Sequence, residues 1–167
     1  HCIRSASDCS NTSIVFDFYV GPGHADPEFL SLDSVYTCRH LEAQAVDRDS
    51  GADYAVVRLD RVVTGRSPLE LAASSDLAPG RPVTVIGHPN GLPIKITAGG
   101  TVRQSVQSGF FVVNSDTFSG SSGSPTLTDD GLVRGIAVRG DADFVQTPAG
   151  CFTAKRCGPT DCRGEDI

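Results

Sequence analysis

Asp116-Thr117-Phe118-Ser119-Gly120-Ser121-Ser122-Gly123-Ser124-Pro125 is the stretch whose reading decides the rest of the chain. Two glycines and several hydroxyl residues crowd around Ser122, and Pro125 ends the run. Apolar runs of β character flank it, Phe110 to Val113 before and Leu132 to Val138 after. A glycine-rich turn between strands can hold backbone N–H groups convergent on one point, the arrangement that stabilises an oxyanion. Ser122 at its centre reads as a nucleophile. The plain alternative is a Gly/Ser hairpin loop without chemistry.

Working outward, the chain of 167 residues allows one domain or two small lobes. With 39% hydrophobic residues it can bury a core, and no segment approaches the length of a membrane span. Glycine (18) and proline (10) are abundant and helix-period stretches scarce, which points to short strands joined by turns. A net charge of −6, without a basic run, argues against nucleic acid or an anionic membrane surface as partner. Six cysteines, an even number, fit disulfides formed in an oxidising compartment, secreted or periplasmic; the sequence leaves their pairing open. Cys151, Cys157 and Cys162 lack the short paired spacing of a structural zinc site, and no metal or other cofactor is expected. The chain opens at His1-Cys2 without Met and reads as a mature or trimmed piece of a longer precursor.

Strands are expected at Ser13 to Val20, Ser34 to Cys38, Ala43 to Val46, Asp53 to Leu59 and Val83 to Ile86. Cys9, Asn11 and Thr12 read as part of a polar loop. Ile94 to Thr97 and Thr101 to Val106 read as a hairpin around Gly99-Gly100. The polar segment from Asp60 to Pro82 reads as a connection between two lobes, 1–66 and 67–167. Short strands at this interval indicate an all-β barrel or sandwich.

A serine hydroxyl needs a base, most often histidine. His24 follows Gly-Pro-Gly, His40 lies beside Arg39, and His88 sits in Gly-His-Pro-Asn-Gly; each reads as a turn or surface residue. His1 differs in being followed by Cys2, whose disulfide would fix the local backbone. Asp53, at the start of an apolar strand, reads as the carboxylate that orients the imidazole. The chain order His1, Asp53, Ser122 is that of chymotrypsin-type barrels, whereas α/β-hydrolases need Gly-x-Ser-x-Gly and the order Ser, Asp, His. Position 124 is Ser, and no βαβ alternation is present.

In these motifs the chain resembles the trypsin-like serine peptidases of the chymotrypsin clan, and within them bacterial secreted glutamyl and lysyl endopeptidases. His1-Cys2 resembles the end of Ala-His-Cys, and Asp53 to Leu59 the Asp-Ile-Ala-Leu-Leu-x-Leu motif. Gly120 to Pro125 resembles Gly-Asn-Ser-Gly-Ser-Pro, and Val83 to Gly91 the family's strand-turn before its proline. Gly135 to Gly140 resembles the strand that pairs with extended substrate. The resemblance implies two packed Greek-key β-barrels, the first lacking its early strands. It implies a serine endopeptidase with His1, Asp53 and Ser122 as triad, the backbone N–H groups of Gly120, Ser121 and Ser122 as oxyanion donors, and Val138, Arg139 and Gly140 along the substrate. A monomer acting on protein or peptide substrates is expected, and a protease-like binding or regulatory module without turnover is the alternative. Asp116, six residues before Ser122, resembles a pocket-floor carboxylate and implies Arg or Lys before the scissile bond (P1); the alternative is a loop Asp capping the Thr117-Phe118 turn. Asp141 and Asp143 add negative potential or are simply solvated, while Arg139 would favour an acidic P1 instead. In relatives the cysteine after the histidine bonds upstream; here Cys2 is expected to be free or paired differently, and Cys9 to pair with Cys38.

Overall fold

A computed structural model describes residues 1–47, 49–74, 77–106, 109–158 and 160–167. The chain forms two compact units, His1–Pro68 and Leu69–Ile167.

In the first unit a short helix α1 (Ala6–Ser10) precedes β1 (Ser13–Val15), β2 (Val35–Val46) and β3 (Asp53–Leu59), which form an antiparallel sheet in the order β1-β2-β3. The helix replaces the loop expected around Cys9. Its signal is local: Ser5 Oγ accepts from Asp8 N at 3.1 Å, and the Asp8 carboxylate accepts from Arg4 N at 2.9 Å. The two side chains satisfy donors that a helix start leaves open. β1 ends at Val15, well short of Val20, because Asp17 adopts φ 63 and turns the chain away. The two strands expected on either side of Arg39 are one, β2, which absorbs register shifts at Cys38/His40 and Leu41/Ala43. The buried set here is small: Cys9, Ser34, Tyr36 and Cys38. The Cys9–Cys38 disulfide joins α1 to β2, as expected. Tyr36 meets Phe16 edge to face at 5.3 Å and carries the Arg61 guanidinium 3.8 Å from its ring centre.

The second unit holds β4 (Pro82–Gly87), β5 (Lys95–Val106), β6 (Phe110–Val113), β7 (Pro125–Leu127), β8 (Val133–Ile136), β9 (Phe144–Gln146), β10 (Phe152–Ala154) and β11 (Glu165–Asp166). Six strands form a curled antiparallel sheet in the order β11-β6-β5-β4-β7-β8. Beyond β8 the chain reaches Arg139, which bridges Asp166 of β11, so the two ends of the strand order meet. β9 and β10 pair separately.

The hairpin expected at Gly99-Gly100 is absent; β5 continues through it as one strand. Val83 pairs with Gly100 and Val85 with Thr97, so two residues of β5 face one of β4. This is a bulge with Gly99 at φ +84, a conformation glycine adopts at little cost. Gly100 leaves the space that Ser115 Oγ fills. The bend passes β5 from its pairing with β4 to its pairing with β6. Leu77, Val83, Val85, Val102, Phe111, Val113, Ala137 and Ile167 form the buried core.

Candidate active site

In the first unit the start of β3 carries Asp53, which pairs with Val46 at the end of β2. Its side chain is 7% exposed. The main-chain nitrogen of His1 donates to Asp53 Oδ1 at 2.5 Å, and His1 Nδ1 lies 2.7 Å from Oδ2. An ionised carboxylate only accepts, so this contact requires the proton on Nδ1, and in the neutral imidazole the lone pair is then on Nε2. A nearly buried carboxylate thereby gains the donors that its desolvation demands. Two residues fifty-two positions apart thus form one histidine–carboxylate pair.

In the second unit, Phe118 to Ser124 folds over the turn that follows β4. Gly120 has φ +94, and a Cβ on it would stand 2.8 Å from Asn90 N and 3.0 Å from His88 O. Asn90 N donates to Ser119 O at 2.6 Å, so the Gly-His-Pro-Asn-Gly turn supports the loop. Gly87 lacks the Cβ that would occupy the place of Ser124 Oγ. On the far side Gly123 N donates to Ala137 O at 2.7 Å and Ala137 N to Ser124 O at 2.9 Å. The Asp143 carboxylate accepts from Ser119 N at 2.9 Å. Ser122 is exposed at the crest of this framework.

The three expected backbone donors divide. Ser121 N donates to Phe118 O at 3.0 Å, which takes it out of the set. Among the described residues the N–H groups of Gly120 and Ser122 have no partner. A built loop with two unspent donors flanking an exposed hydroxyl is an arrangement suited to negative charge developing on a carbonyl oxygen.

The family follows from comparison with known proteins. Residues 8–136 match the family model of the trypsin-like peptidase domain. The chain belongs to this family. The match includes Asp53 and Ser122 and stops short of His1 at one end and of Val138 to Gly140 at the other. Over 54 residues (32% of this chain, 11% of the relative) it is 46% identical to the serine protease PepD of Mycobacterium tuberculosis. The crystal structure of the Rv3671c protease from M. tuberculosis in its active form aligns with TM-score 0.51 at 20% identity, covering 68% of this chain and 52% of that one. The inactive form of the same protease gives TM-score 0.51 at 20% identity over 66% and 59%. These likenesses carry the fold. The chain spans a small part of the curated relative and little more than half of the solved ones. Among the described residues no helix is long and apolar enough to cross a membrane.

Around the serine loop lies a cleft of about 210 Å³. Ser121 and Ser122 line it from one side, Val138, Arg139 and Gly140 from another, with Asp141, Asp143 and Glu165. Val138 N donates to Asp166 O at 2.9 Å and Asp166 N to Arg139 O at 2.7 Å, which fixes this wall to β11. The Arg139 guanidinium lies 3.0 Å from the buried Asp166 carboxylate. Asp116 is exposed and lines a neighbouring hollow of about 40 Å³ that shares Thr117, Asp141, Asp143 and Glu165 with the cleft. Lys155 Nζ lies 2.8 Å from Asp141, which together with N–H donors from Arg163 and Ala142 holds that carboxyl well below its usual range. Cys157 and Cys162 form a disulfide; Cys2 and Cys151 are free and exposed.

Nothing in the sequence singles out Glu165. It stands in a cysteine-rich tail with no strand pattern of its own, and only the pairing of β11 with β6 carries it to the cleft.

Proposed function

We propose that this chain is the catalytic region of a serine endopeptidase acting through an acyl-enzyme. Ser122 Oγ attacks the scissile carbonyl carbon while His1 Nε2 takes its proton; Asp53 holds the imidazole tautomer and stabilises the cation that forms. Collapse of the tetrahedral intermediate breaks the C–N bond, and His1 returns the proton to the departing amine. Water, activated by the same nitrogen, then releases the acid and restores Ser122. The N–H groups of Gly120 and Ser122 receive the oxyanion, each worth about 3–4 kcal/mol in the transition state. Val138 to Gly140 pair with the extended substrate, and the acidic side chains about the cleft favour Arg or Lys at P1. Proton transfer needs Ser122 Oγ within about 3 Å of His1 Nε2 when substrate is bound. The two disulfides fit an extracytoplasmic setting.

The observation that carries this reading is the His1–Asp53 pair, found with a serine loop whose two flanking N–H groups are unspent, in a chain of a peptidase family. Labelling with a fluorophosphonate probe tests it. Modification of Ser122, lost in Ser122→Ala and much slowed in Asp53→Asn, is expected. Intact folded protein that never labels would leave a protease-like binding module.

A further inference from the structure

We propose that Glu165 is the residue that selects the P1 side chain, accepting a guanidinium or ammonium group within the cleft beside Ser122. This rests on the peptidase reading above and names the group behind its substrate preference.

The position of Glu165 is built by its neighbours. Gly164 has φ +86, and a Cβ there would stand 2.6 Å from Val113 O, so β11 reaches β6 only with glycine at this point. A Cβ on Gly140 would stand 2.7 Å from Glu165 Cδ. The carboxyl therefore rests against the bare Cα of the segment expected to hold substrate. Thr117, on the loop leading to Ser122, lines the same cleft. The carboxyl thus sits in one lining with Gly140 and with the segment that leads to Ser122.

The other charged groups of that lining are mostly paired elsewhere. Asp141 is paired with Lys155, while Arg139 and Arg163 are both engaged by Asp166. Among the described residues Glu165 has no Lys or Arg in ion-pair contact. Burial pushes its pKa up to about 7; the negative charges of Asp143 and Asp116 act in the same direction, and Arg163 and the Thr117 hydrogen bond oppose them. A carboxyl placed in this way is neutral below pH 7 and ionised above it, and a ligand cation favours the ionised form. Discrimination for a cationic P1 must then grow as pH rises through neutrality.

Two matched peptides differing only at P1, Arg against Gln, isolate the effect, because any change with pH in the shared chemical steps alters both rates alike. Between pH 6 and pH 8 the ratio of their kcat/KM values is expected to rise about tenfold, following the ionised fraction of a group titrating near 7. In Glu165→Gln the ratio is expected to be lower and flat with pH. A flat ratio in the parent, or an unchanged pH-dependent ratio in Glu165→Gln, overturns the proposal. Binding of butylguanidinium, followed by NMR shifts of the Gly140 amide, gives a readout without turnover. Binding about tenfold tighter at pH 8 than at pH 6 and lost in Glu165→Gln supports the assignment; equal binding by both proteins, or none by the parent, overturns it. Failure of Ser122 to label with the fluorophosphonate strikes the peptidase reading instead, and leaves the butylguanidinium result to decide the role of Glu165.

Discussion

The two units support their parts of the proposed site by opposite means. The first presents a contact between side chains: His1 against Asp53, at the head of a strand, in a unit whose few buried groups are a disulfide, a tyrosine and a serine. The second presents backbone: a loop held by N–H and C=O bonds to two neighbouring segments, over a core of eight buried apolar residues. A side-chain pair can be mounted on a lightly packed sheet when hydrogen bonds between opposite charges hold it. Backbone donors have no rotamers to adjust, so their direction depends on everything the loop is packed against.

Predictions that separate the two begin with the chemistry itself. Ser122→Ala is expected to lower kcat about a million-fold, measured with a sensitive peptide substrate. Asp53→Asn leaves the shape of the first unit in place and presents a donor in place of an acceptor to His1; a loss of about 10⁴ in kcat is expected. Gly120→Ala strikes the backbone of the second unit, where a Cβ meets Asn90 N at 2.8 Å and φ is +94. Displacement of one oxyanion donor predicts a loss of about 10²–10³ in kcat, with a smaller change in KM. If Gly120→Ala were silent while Asp53→Asn was crippling, the division between side-chain and backbone machinery would be wrong.

Stability sharpens the same contrast. Cys9 and Cys38 are 29 residues apart, and replacing both by Ser is expected to cost about 3.5 kcal/mol, read as denaturant unfolding of the first unit. The smallest effect is expected at the turn between β7 and β8, where Asp130 accepts from the Thr128 hydroxyl (2.6 Å), Leu132 N (3.1 Å) and the Arg134 guanidinium (2.6 Å). These donors lower its pKa to about 2 from 3.8. A lowered carboxylate pKa stabilises the fold above the unfolded value and loses that contribution as pH falls through the folded one. Asp130→Asn is therefore expected to lower Tm slightly at pH 7, with the difference fading between pH 4 and pH 2.

Much of the strand pattern can be read directly. Asp53–Leu59 and Phe110–Val113 are strands over the residues expected, because each is a dense apolar run with few competing turn residues. Gly99-Gly100 misleads for a physical reason: glycine pairs serve both hairpin turns and bulges, and only the partners β4 and β6 decide which. β7 is three residues long and hidden against the serine loop, so periodicity has nothing to register. Asp116 stands out by its spacing from Ser122, yet the carboxyl set against Gly140 is Glu165, forty-three positions beyond that serine.

By itself the sequence determined the candidate residue types, their order along the chain, the all-β class and the glycines that permit the serine loop. These are local properties, fixed by side-chain chemistry and allowed backbone angles. The tertiary structure alone decided that His1 meets Asp53, that the Ser121 N–H is spent while those of Gly120 and Ser122 are not, and that Glu165 enters the cleft. Each of these depends on which distant segments lie side by side, and hydrogen bonding and close approach across such gaps leave no periodic trace in the chain.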